Sequence, residues 1–388
     1  MVVSVSLAVF PFKDEDPALV IANLATAASH SRIDEVWAVA SEDGPTTRQV
    51  EAGAAETSGR LSKPISVIPQ ERIGDLRPGK GDAMNTAIRR AAGQGRERVH
   101  FYDADITNFD ETWIEGAEDA ADRGYGVVRH RFPRAATDAM ITWMITRPGL
   151  ALLFPGTFLP RLNQPLGGEL LLTRVALESL AGSQLVMSRS DWGIDTVLTY
   201  ATSMMGVGLY EHHVAGGKRH TLYGSLDELR WMVIECLDAV SGLAGMAGPQ
   251  PGARHGSDPA APVPPDLKRT VAYDLSSTLP LLTSGWTDEE IELAADLPAQ
   301  ARVGIMANLD RPEFSFMDAG IWLETLRFLL SGFRLGYQAW ESLAFRLWLT
   351  RVLAYTTNQA QDGYDLAIDY LEATIRDYER LADQSSQS

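Results

Sequence analysis

Cysteine is nearly absent from this chain of 388 residues, which contains Cys236 and no other. One cysteine excludes an internal disulfide and a thiolate cluster around zinc. Basic residues are also scarce, with 34 lysines and arginines against 51 acidic residues and a formal net charge of −17. Because binding along a phosphate backbone needs a basic face, we expect no nucleic-acid partner.

Long apolar runs are missing as well. The segment MVVSVSLAVFPFK has no charged region ahead of its apolar residues, and no stretch is long enough to span a bilayer. We therefore expect a soluble, cytoplasmic protein with no membrane partner. The length leaves room for one large domain or two moderate ones.

The first half of the chain alternates predicted strands and helices. Predicted strands cover residues 2–12, 35–40, 64–69, 99–105, 125–132 and 207–214, and predicted helices cover 17–29, 49–58 and 82–93. This order is typical of an α/β fold with a mostly parallel sheet and helices on both faces. Ligands of such folds bind beyond the carboxyl ends of the strands.

The second half has a different pattern. Ser225 with Glu228, and Thr287 with Glu290, form capping boxes, and residues 244–266 make a Gly/Pro-rich linker. We predict one domain at 1–224 and a mainly helical C-terminal domain at 225–388. Apolar residues on every side of FRLWLTRVLAY predict a helix buried on most sides, and we expect this region to form a homo-oligomer.

HFYDADIT, residues 100–107, places two aspartates at the end of a predicted strand. Side chains at i and i+2 of a strand share a face, so we expect Asp103 and Asp105 to reach one point, with a cation between them. Carboxylate oxygens suit Mg²⁺ or Mn²⁺, which can bridge to a diphosphate. The alternative is a solvated turn, because D-x-D alone is a weak signal in an acidic chain.

Lysines follow two other predicted strands. PGKGD, residues 78–82, sets Lys80 between glycines just before a helix, where its ammonium and nearby N–H groups can meet phosphate oxygens. Lys13 follows the first strand and offers a second cation. The alternative for PGKGD is a flexible turn with a solvated lysine.

An arginine precedes a predicted helix start in RFPRAATDAMITWMITRP, with Ala136 or Thr137 as the cap. Amides near residues 139–142 and the Arg134 guanidinium together fit a small carboxylate. The alternative is that Arg134 only pairs with Asp138.

Other polar residues have weaker patterns. In SDWGID, Asp191 and Asp195 flank a Trp-Gly turn and in isolation are more often helix caps. His220 lies on a loop, where it can ligate a metal, whereas His100 is expected to pack within its strand.

Taken together, these segments resemble GT-A glycosyltransferases and, more closely, the mannosylglycerate synthase family. The resemblance runs in the same order over nearly the whole chain. It is carried by FPFK (10–13), RPGKGD (77–82), HFYDADIT (100–107), FPRAATDAMITWMITR (132–147), QPLGGELL (164–171), RSDWGIDT (189–196), GKRHTLYG (217–224), FSFMD (314–318) and LWLTRVLAYT (347–356).

The resemblance implies retaining, metal-dependent transfer of mannose from GDP-mannose to the 2-hydroxyl of D-glycerate. It also implies a role for each matching residue. Pro11, Phe12, Lys13, Glu15, Gln70, Lys80 and Asp103 would hold the nucleotide sugar; Asp105 and His220 would ligate Mg²⁺ or Mn²⁺; Arg134, Asp138, Ala139, Met140, Ile141 and Thr142 would hold glycerate; Leu166, Asp195, Tyr223 and Met232 would surround the sugar. Lys80, Arg134 and Asp195 would carry the catalytic work.

Other functions stay open on the residues alone. A related enzyme would use GDP-glucose or UDP-glucose as donor, or lactate or glycolate as acceptor. A nucleotidyltransferase would share the sheet and the metal carboxylates but release pyrophosphate. A sensor would bind a nucleotide sugar without turning it over.

Overall fold

The computed structural model describes residues 6–220, 224–250 and 252–386. The chain divides into two compact units, each assembled from separate segments. The first unit comprises Met1–Pro133, Leu166–Thr221 and Pro249–Pro262, and the second comprises Arg134–Pro165, Leu222–Gly248 and Val263–Ser388. The division into domains at residue 224 stays a prediction; residues 134–165 are grouped here with the later helices.

An eight-stranded sheet forms the centre of the first unit, in the order β3-β2-β1-β4-β6-β5-β7-β8. Its strands are β1 (Ser6–Phe12), β2 (Ile33–Ala40), β3 (Ile65–Pro69), β4 (Arg98–Phe101), β5 (Val127–Arg131), β6 (Leu170–Thr173), β7 (Leu209–His213) and β8 (His255–Ser257). The helices of this unit are α1 (Pro17–Ser29), α2 (Pro45–Leu61), α3 (Lys80–Gly93), α4 (Glu111–Asp122), α6 (Arg174–Ala181), α7 (Gln184–Met187) and α8 (Gly193–Met204). The predicted α/β class is confirmed.

Strand direction brings chain segments that are far apart in sequence to one edge of the sheet. Strands β3, β2, β1 and β4 are parallel, so their carboxyl ends share that edge. Strand β6 runs antiparallel to β4, with Leu170 opposite Phe101, so β6 begins where β4 ends. Strands β5 and β7 are parallel to each other and β5 is antiparallel to β6, so β7 also ends there. We call this the carboxyl edge.

Burial explains why the strands read as continuous apolar runs. Strand β1 (SLAVFPF) is buried at six of its seven positions, as expected for a central parallel strand covered on both faces. Helix α1 follows it after a short turn, with Asp16 accepting from the Ala18 N–H and Pro17 in the first helical turn.

Three features differ from the sequence predictions. Strand β4 ends at Phe101, so Asp103 and Asp105 lie in the following loop and strand alternation does not fix their directions. The short strand β6 was not predicted. Strand β8 lies inside the predicted linker, where the Asp258 carboxylate accepts from Tyr210 Oη at 2.6 Å and from the His213 N–H at 2.9 Å. Residues 2–5 of the first predicted strand lie outside the described residues.

In the described part of the second unit, every regular element is a helix. Its α-helices are α5 (Arg147–Leu153), α9 (Arg230–Ser241), α10 (Leu275–Thr278), α11 (Pro280–Thr283), α12 (Asp288–Ala295), α13 (Ala299–Met306), α14 (Ala319–Gly332), α15 (Gln338–Asn358) and α16 (Tyr364–Ser386). A π-helical turn at Thr142–Thr146 precedes α5, and single 3₁₀ turns lie at Leu159–Arg161, Leu226–Leu229, Leu267–Arg269, Ala307–Leu309 and Ala360–Asp362.

Both predicted capping boxes and the predicted buried helix are confirmed in this unit. Ser225 with Glu228 and Thr287 with Glu290 each make the reciprocal capping bonds. Helix α15, which contains FRLWLTRVLAY, is buried without interruption from Leu343 to Thr356. Among the described residues, no helix is long and apolar enough to cross a membrane.

Candidate active site

A cluster of buried charges occupies the carboxyl edge of the first unit. The Lys80 ammonium lies 2.8 Å from Asp103 Oδ1 and 3.4 Å from Asp195 Oδ2. A second ammonium, that of Lys218, lies 2.5 Å from Asp103 Oδ2 and 2.6 Å from Glu169 Oε1. Asp103 therefore joins the two lysines, one through each carboxylate oxygen. We call these five residues the donor cluster.

Opposite charges within the donor cluster keep its central members ionised. Burial alone would raise the pKa of Asp103, but the ammonium groups of Lys218 and Lys80 outweigh it and hold the pKa well below its usual range. Burial would lower the pKa of Lys80, and here Asp103, Asp195 and Glu169 outweigh it and raise the pKa well above its usual range. The Lys80 ammonium is thus kept charged although its side chain is only 14% exposed.

The pKa values of the two outer carboxyls, Asp195 and Glu169, are shifted in the opposite direction from that of Asp103. Burial raises the pKa of Asp195, with Lys80 opposing and Asp103 reinforcing the rise. Burial also raises the pKa of Glu169, again against the attraction of a lysine, Lys218. The Asp195 Oδ1 atom is buried without a hydrogen-bond partner among the described residues. Such an acceptor is costly unless a ligand group donates to it.

The loop after β4 is fixed from two sides. From α1, the buried Asn23 side chain donates to the carbonyls of Ala104 and Ile106 at 3.1 and 2.9 Å. From the loop after β7, the Arg219 carbonyl accepts from the Thr107 N–H at 2.8 Å. These bonds place Asp103 and Asp105 beside the loop that carries Lys218 and His220.

A second pair of bonds tightens the same contact. The Asn108 side chain donates to the Gly217 carbonyl at 2.9 Å and accepts from the Arg219 N–H at 2.8 Å. The loop after β4 and the loop after β7, far apart in sequence, therefore meet through one backbone bond, between Thr107 and Arg219, and through the Asn108 side chain.

The PGKGD loop is anchored by SDWGID. The Asp191 carboxylate accepts from the Lys80 N–H at 3.0 Å and also contacts the Arg77 guanidinium. A Cβ on Gly79 would lie 2.2 Å from the Asp191 carboxyl carbon, so only glycine allows this approach. Asp191 is thus neither a helix cap nor a member of the donor cluster; it positions the loop that carries Lys80.

Gly168 makes room for the Lys80 side chain. A Cβ at this position would lie 2.2 Å from Lys80 Nζ and 2.8 Å from Asp103 Oδ1. The lysine therefore runs across the bare backbone of QPLGGELL at the start of β6. Any larger residue at 168 must push the ammonium away.

Asp105 and His220 form the candidate metal pair. The His220 Nδ1 atom lies 4.0 Å from Asp105 Oδ2, and Asp105 Oδ1 is buried without a hydrogen-bond partner among the described residues. No group of three His, Cys, Asp or Glu side chains in the described ranges can hold a metal. One carboxylate and one imidazole fit an ion that takes its remaining ligands from a diphosphate and water.

The segment after β1 lies close to this pair. The Glu15 carboxylate accepts from the Lys13 N–H at 2.6 Å. Burial raises the pKa of Glu15, the bond from Lys13 opposes the rise, and the nearby Asp105 carboxylate adds to it. Pro11 and Phe12 end β1, and the Lys13 side chain is exposed.

Gln70 follows β3 directly, and its Oε1 atom is buried without a hydrogen-bond partner in the described part of the chain. The residues that we predict to bind the nucleotide sugar therefore all lie near the carboxyl edge. Lys80 starts the helix after its strand, and the others end a strand or follow one.

Two of the predicted sugar-contacting residues lie in the first unit. Leu166 is half-buried two residues before Gly168, and Asp195 belongs to the donor cluster. Met232, in α9, is half-buried and belongs to the second unit. Tyr223 lies outside the described residues. Their roles stay predictions.

The residues predicted to bind glycerate all lie between residues 134 and 142 of the second unit. We call residues 134–146, which include them and the π-helical turn that follows, the acceptor segment. Arg134 Nη1 donates to Asp138 Oδ2 at 3.0 Å, and the Ala139 N–H donates to Asp138 Oδ1 at 2.6 Å. The pairing of Arg134 with Asp138 that we held as the alternative is thus present. It does not exclude a ligand site, because an arginine has five N–H donors.

The acceptor segment has an unusual backbone. Ala139 has a φ of +56°, a left-handed conformation that is costly for a residue with a Cβ. The helix begins at Met140, later than the predicted cap at Ala136 or Thr137, and passes into the π-helical turn at Thr142–Thr146. Strained residues and π-helical turns both concentrate at functional sites.

Two members of the donor cluster, Lys218 and Glu169, were missed from the sequence. Lys218 is separated from its partners Asp103 and Glu169 by 115 and 49 residues. The sequence feature that could have indicated Lys218 is its position two residues before His220. His100, expected to pack, is fully buried, and its Nε2 atom lies 2.9 Å from Glu118, outside the cluster.

Comparison with known proteins agrees with this geometry. The family model described as mannosylglycerate synthase, GT domain, matches residues 6–242, and the model of the mannosylglycerate synthase C-terminal domain matches residues 267–375. The chain belongs to the mannosylglycerate synthase family. It is therefore a glycosyltransferase, and the family resemblance inferred from the motifs is confirmed.

Curated relatives cover the same range. The chain is 48% identical to a mannosylglycerate synthase of Rhodothermus marinus over 374 residues, which is 96% of this chain and 94% of that protein. It is 42% identical to a mannosylglycerate synthase of Selaginella moellendorffii over 374 residues, 95% of this chain and 88% of that protein.

A solved structure agrees on the fold. It is glucosyl-3-phosphoglycerate synthase from Mycobacterium tuberculosis in complex with Mn²⁺ and UDP-glucose. The TM-score is 0.50 at 20% identity, covering 63% of this chain and 80% of that chain. Strand order, family and neighbour together establish a GT-A glycosyltransferase of the mannosylglycerate synthase family.

Proposed function

We propose that this protein transfers mannose from GDP-mannose to the 2-hydroxyl of D-glycerate, with retention, and releases GDP and mannosylglycerate. One observation carries the proposal: Lys80 and Lys218, whose side chains are only 14% and 7% exposed, flank Asp103 beside the Asp105–His220 pair in a chain of this family. A nucleoside diphosphate needs cations of this kind, and the protein as a whole is strongly acidic.

Lys80 is the group best placed to receive the leaving diphosphate. Its N–H and its side chain are both anchored, by Asp191 and by the donor cluster, so little reorganisation is needed as charge develops on the leaving oxygen. Asp103, whose oxygens are shared between two lysines, would contact the ribose side of the donor. Pro11, Phe12, Lys13, Glu15 and Gln70 would hold the rest of the nucleotide from the ends of β1 and β3.

Asp105 and His220 would hold a divalent cation. When bound, Mg²⁺ or Mn²⁺ neutralises the diphosphate as it departs. The buried Oδ1 atom of Asp105, which has no described partner, is the observation that fits a cation there. The loop that carries His220 is held near it by the Thr107 N–H bond to the Arg219 carbonyl and by the Asn108 side chain.

The acceptor segment would hold glycerate through its carboxylate. Arg134 supplies a guanidinium fork, and the amides of residues 139–142 lie at a helix start, where the backbone dipole favours an anion. Fixing the carboxylate fixes the direction of the neighbouring 2-hydroxyl. Asp138 already touches both groups and would orient them.

Asp195 is the carboxyl that we predict in the sugar site, with Leu166, Tyr223 and Met232. Its pKa is raised by burial and one oxygen lacks a described partner, so it suits a hydrogen bond to a sugar hydroxyl. We propose that retention results from attack on the leaving-group side, without a covalent intermediate. The proton of the acceptor hydroxyl then goes to the departing diphosphate. Detection of a glycosyl-Asp195 adduct by mass spectrometry would overturn this mechanism.

The reaction is tested by mass spectrometry of mixtures containing GDP-mannose, D-glycerate and Mn²⁺ or Mg²⁺. We expect mannosylglycerate and GDP with the wild-type protein, and NMR of the product should show the α-anomer. EDTA and Asp105→Ala should each abolish the product. Asp43→Ala is the matched control, because this carboxylate is 91% exposed and lies in the same unit.

Other outcomes point elsewhere. Product formed only with UDP-glucose, or only with lactate or glycolate, would replace the proposed substrates. Release of pyrophosphate would indicate a nucleotidyltransferase. Metal-dependent binding of GDP without product from any acceptor would indicate a sensor.

Domain boundaries, a cytoplasmic location and a homo-oligomer also stay proposals. The apolar circumference of α15, which suggested an oligomer, is already buried within one chain from Leu343 to Thr356. It therefore gives no reason for a second copy. A monomer mass in light scattering would reject the oligomer.

A further inference from the structure

Three aromatic side chains of the helical C-terminal region donate hydrogen bonds to carbonyl groups of the acceptor segment. Tyr355 Oη donates to the Ala136 carbonyl at 2.9 Å. Trp348 Nε1 donates to the Met140 carbonyl at 3.4 Å, and Trp322 Nε1 donates to the Met144 carbonyl at 2.7 Å. The donors come from α15 and α14, and all these residues belong to the second unit.

The acceptor segment that offers these carbonyl groups is irregular. Ala136 precedes the helix, so its carbonyl lies outside the helical ladder. The ladder then changes from an i+4 bond, Trp143 N–H to the Ala139 carbonyl, to an i+5 bond, Arg147 N–H to the Thr142 carbonyl. A buried carbonyl that loses its regular partner must find another donor.

The three donors are rigid. Trp322 is 1% exposed, and Trp348 and Tyr355 are fully buried. Trp348 and Tyr355 are seven residues apart on α15, two helical turns, so they present one face to the segment. A rigid face that holds two carbonyls sets the direction of the peptide groups to which they belong.

Each peptide group joins a carbonyl to the N–H of the next residue. The two point in opposite directions in a trans peptide plane, so holding the oxygen aims the N–H. The carbonyl of Met140 belongs to the same plane as the N–H of Ile141, one of the amides proposed to bind glycerate. The bond from Tyr355 to the Ala136 carbonyl likewise fixes the peptide plane that contains the Thr137 N–H.

We infer that Tyr355, Trp348 and Trp322 are positioning residues for the acceptor, acting through the backbone of residues 136–146; this inference rests on the proposed function. The helical region then has a task in the reaction beyond covering the core. It keeps the amides and Arg134 in the arrangement that a small carboxylate requires.

Tyr355→Phe is the test variant, because it removes one hydroxyl and keeps the ring. Its matched control is Tyr378→Phe. Tyr378 is 2% exposed and its hydroxyl also donates to a backbone carbonyl of the same unit, that of Ala319, outside the acceptor segment. Each variant loses one hydrogen bond from the hydroxyl of a buried tyrosine to a backbone carbonyl, so we expect losses of Tm of similar size.

The two variants should differ in acceptor kinetics. We expect Tyr355→Phe to raise KM for D-glycerate about three- to tenfold, the usual worth of one hydrogen bond, with KM for GDP-mannose unchanged. Tyr378→Phe should leave both KM values at the wild-type level. Equal changes in acceptor KM for the two variants would overturn the inference.

A second readout does not depend on activity. Amide hydrogen exchange, followed by mass spectrometry of peptides covering residues 136–146, should be faster in Tyr355→Phe than in wild type and unchanged in Tyr378→Phe. If the wild-type protein makes no mannosylglycerate, the proposed function fails while the exchange result still decides the positioning role. Unchanged exchange in Tyr355→Phe overturns that role even if the enzyme is active.

Discussion

The donor cluster and the acceptor segment are built in opposite ways. The donor cluster consists of charged side chains, Lys80, Lys218, Asp103, Glu169 and Asp195, which come from loops and from the first turns of α3 and α8. The acceptor segment consists mainly of backbone groups, in a strained turn and a π-helical turn, held by aromatic donors from distant helices. The first depends on charge and the second on shape.

Because of this difference, single substitutions should have larger effects in the donor cluster than in the acceptor segment. In the donor cluster each charge compensates another, so loss of one side chain leaves its partners buried and unbalanced. In the acceptor segment no single side chain supplies the amides, so single changes act through geometry and should be smaller. Arg134 is the exception, because it is a charged side chain within a backbone site.

Lys80→Ala should have the largest effect. It removes the ammonium proposed to meet the leaving diphosphate, and we expect kcat to fall about 100- to 1000-fold. Steady-state kinetics with GDP-mannose and D-glycerate measures this. Lys268→Ala is the control, since Lys268 pairs with Asp365 at 2.9 Å in the second unit, outside the acceptor segment. A fall in kcat of less than fivefold for Lys80→Ala would mean that Lys218 or the metal carries the charge.

Arg134→Ala comes next and should act on the acceptor alone. Loss of a charge-assisted fork is expected to raise KM for D-glycerate about 10- to 100-fold, with KM for GDP-mannose unchanged. Arg134→Lys, which keeps the charge but not the fork, should recover only part of the loss. Arg327→Ala provides the control, because Arg327 makes a surface pair with Glu324 in the same unit. An equal rise in both KM values would assign Arg134 to the nucleotide instead.

The convergence of the predicted donor segments on one edge of the sheet could be predicted from sequence. Parallel strands end at one edge, so FPFK, Gln70, PGKGD and HFYDADIT could be placed together from the strand order alone. The directions of the two aspartate side chains in D-x-D could not be predicted. Strand β4 ends at Phe101, and Asp103 turns to two lysines while Asp105 lies near His220.

Long-range pairings account for the residues that were missed. Glu169 joins the cluster because β6 runs antiparallel to β4, and a run as short as LLLT cannot be distinguished from a buried helix segment by periodicity. Strand β8 (HGS) has no apolar pattern and is held through Asp258, a contact that sequence does not show. The aromatic donors to the acceptor segment were missed for the same reason, because Tyr355 and Ala136 are 219 residues apart.

Gly168→Ala tests whether the donor cluster tolerates a displaced lysine. The new Cβ would lie 2.2 Å from Lys80 Nζ, so the flexible end of the lysine must move and leave Asp103. We expect kcat to fall about tenfold because a group misplaced by roughly an ångström loses much of its effect. Gly182→Ala is the control: its Cβ would meet nothing nearer than 3.8 Å. Wild-type kcat in Gly168→Ala would show that Lys80 acts from more than one position.

Asp138→Asn should have the smallest effect and concerns the charge of the acceptor segment. The Asp138 carboxylate contacts Arg134 and the Ala139 N–H, the two kinds of donor that a glycerate carboxylate would use. An incoming anion must therefore approach a like charge. Asparagine removes that charge but keeps only one of the two accepted hydrogen bonds, because its amide nitrogen donates. The lost bond offsets part of the gain, so we expect KM for D-glycerate to fall only about twofold, less than the worth of one solvated charge pair. A rise in this KM would instead show that the bonds from Arg134 and Ala139, or a direct contact of Asp138 with the acceptor as the family resemblance implies, outweigh the like charge.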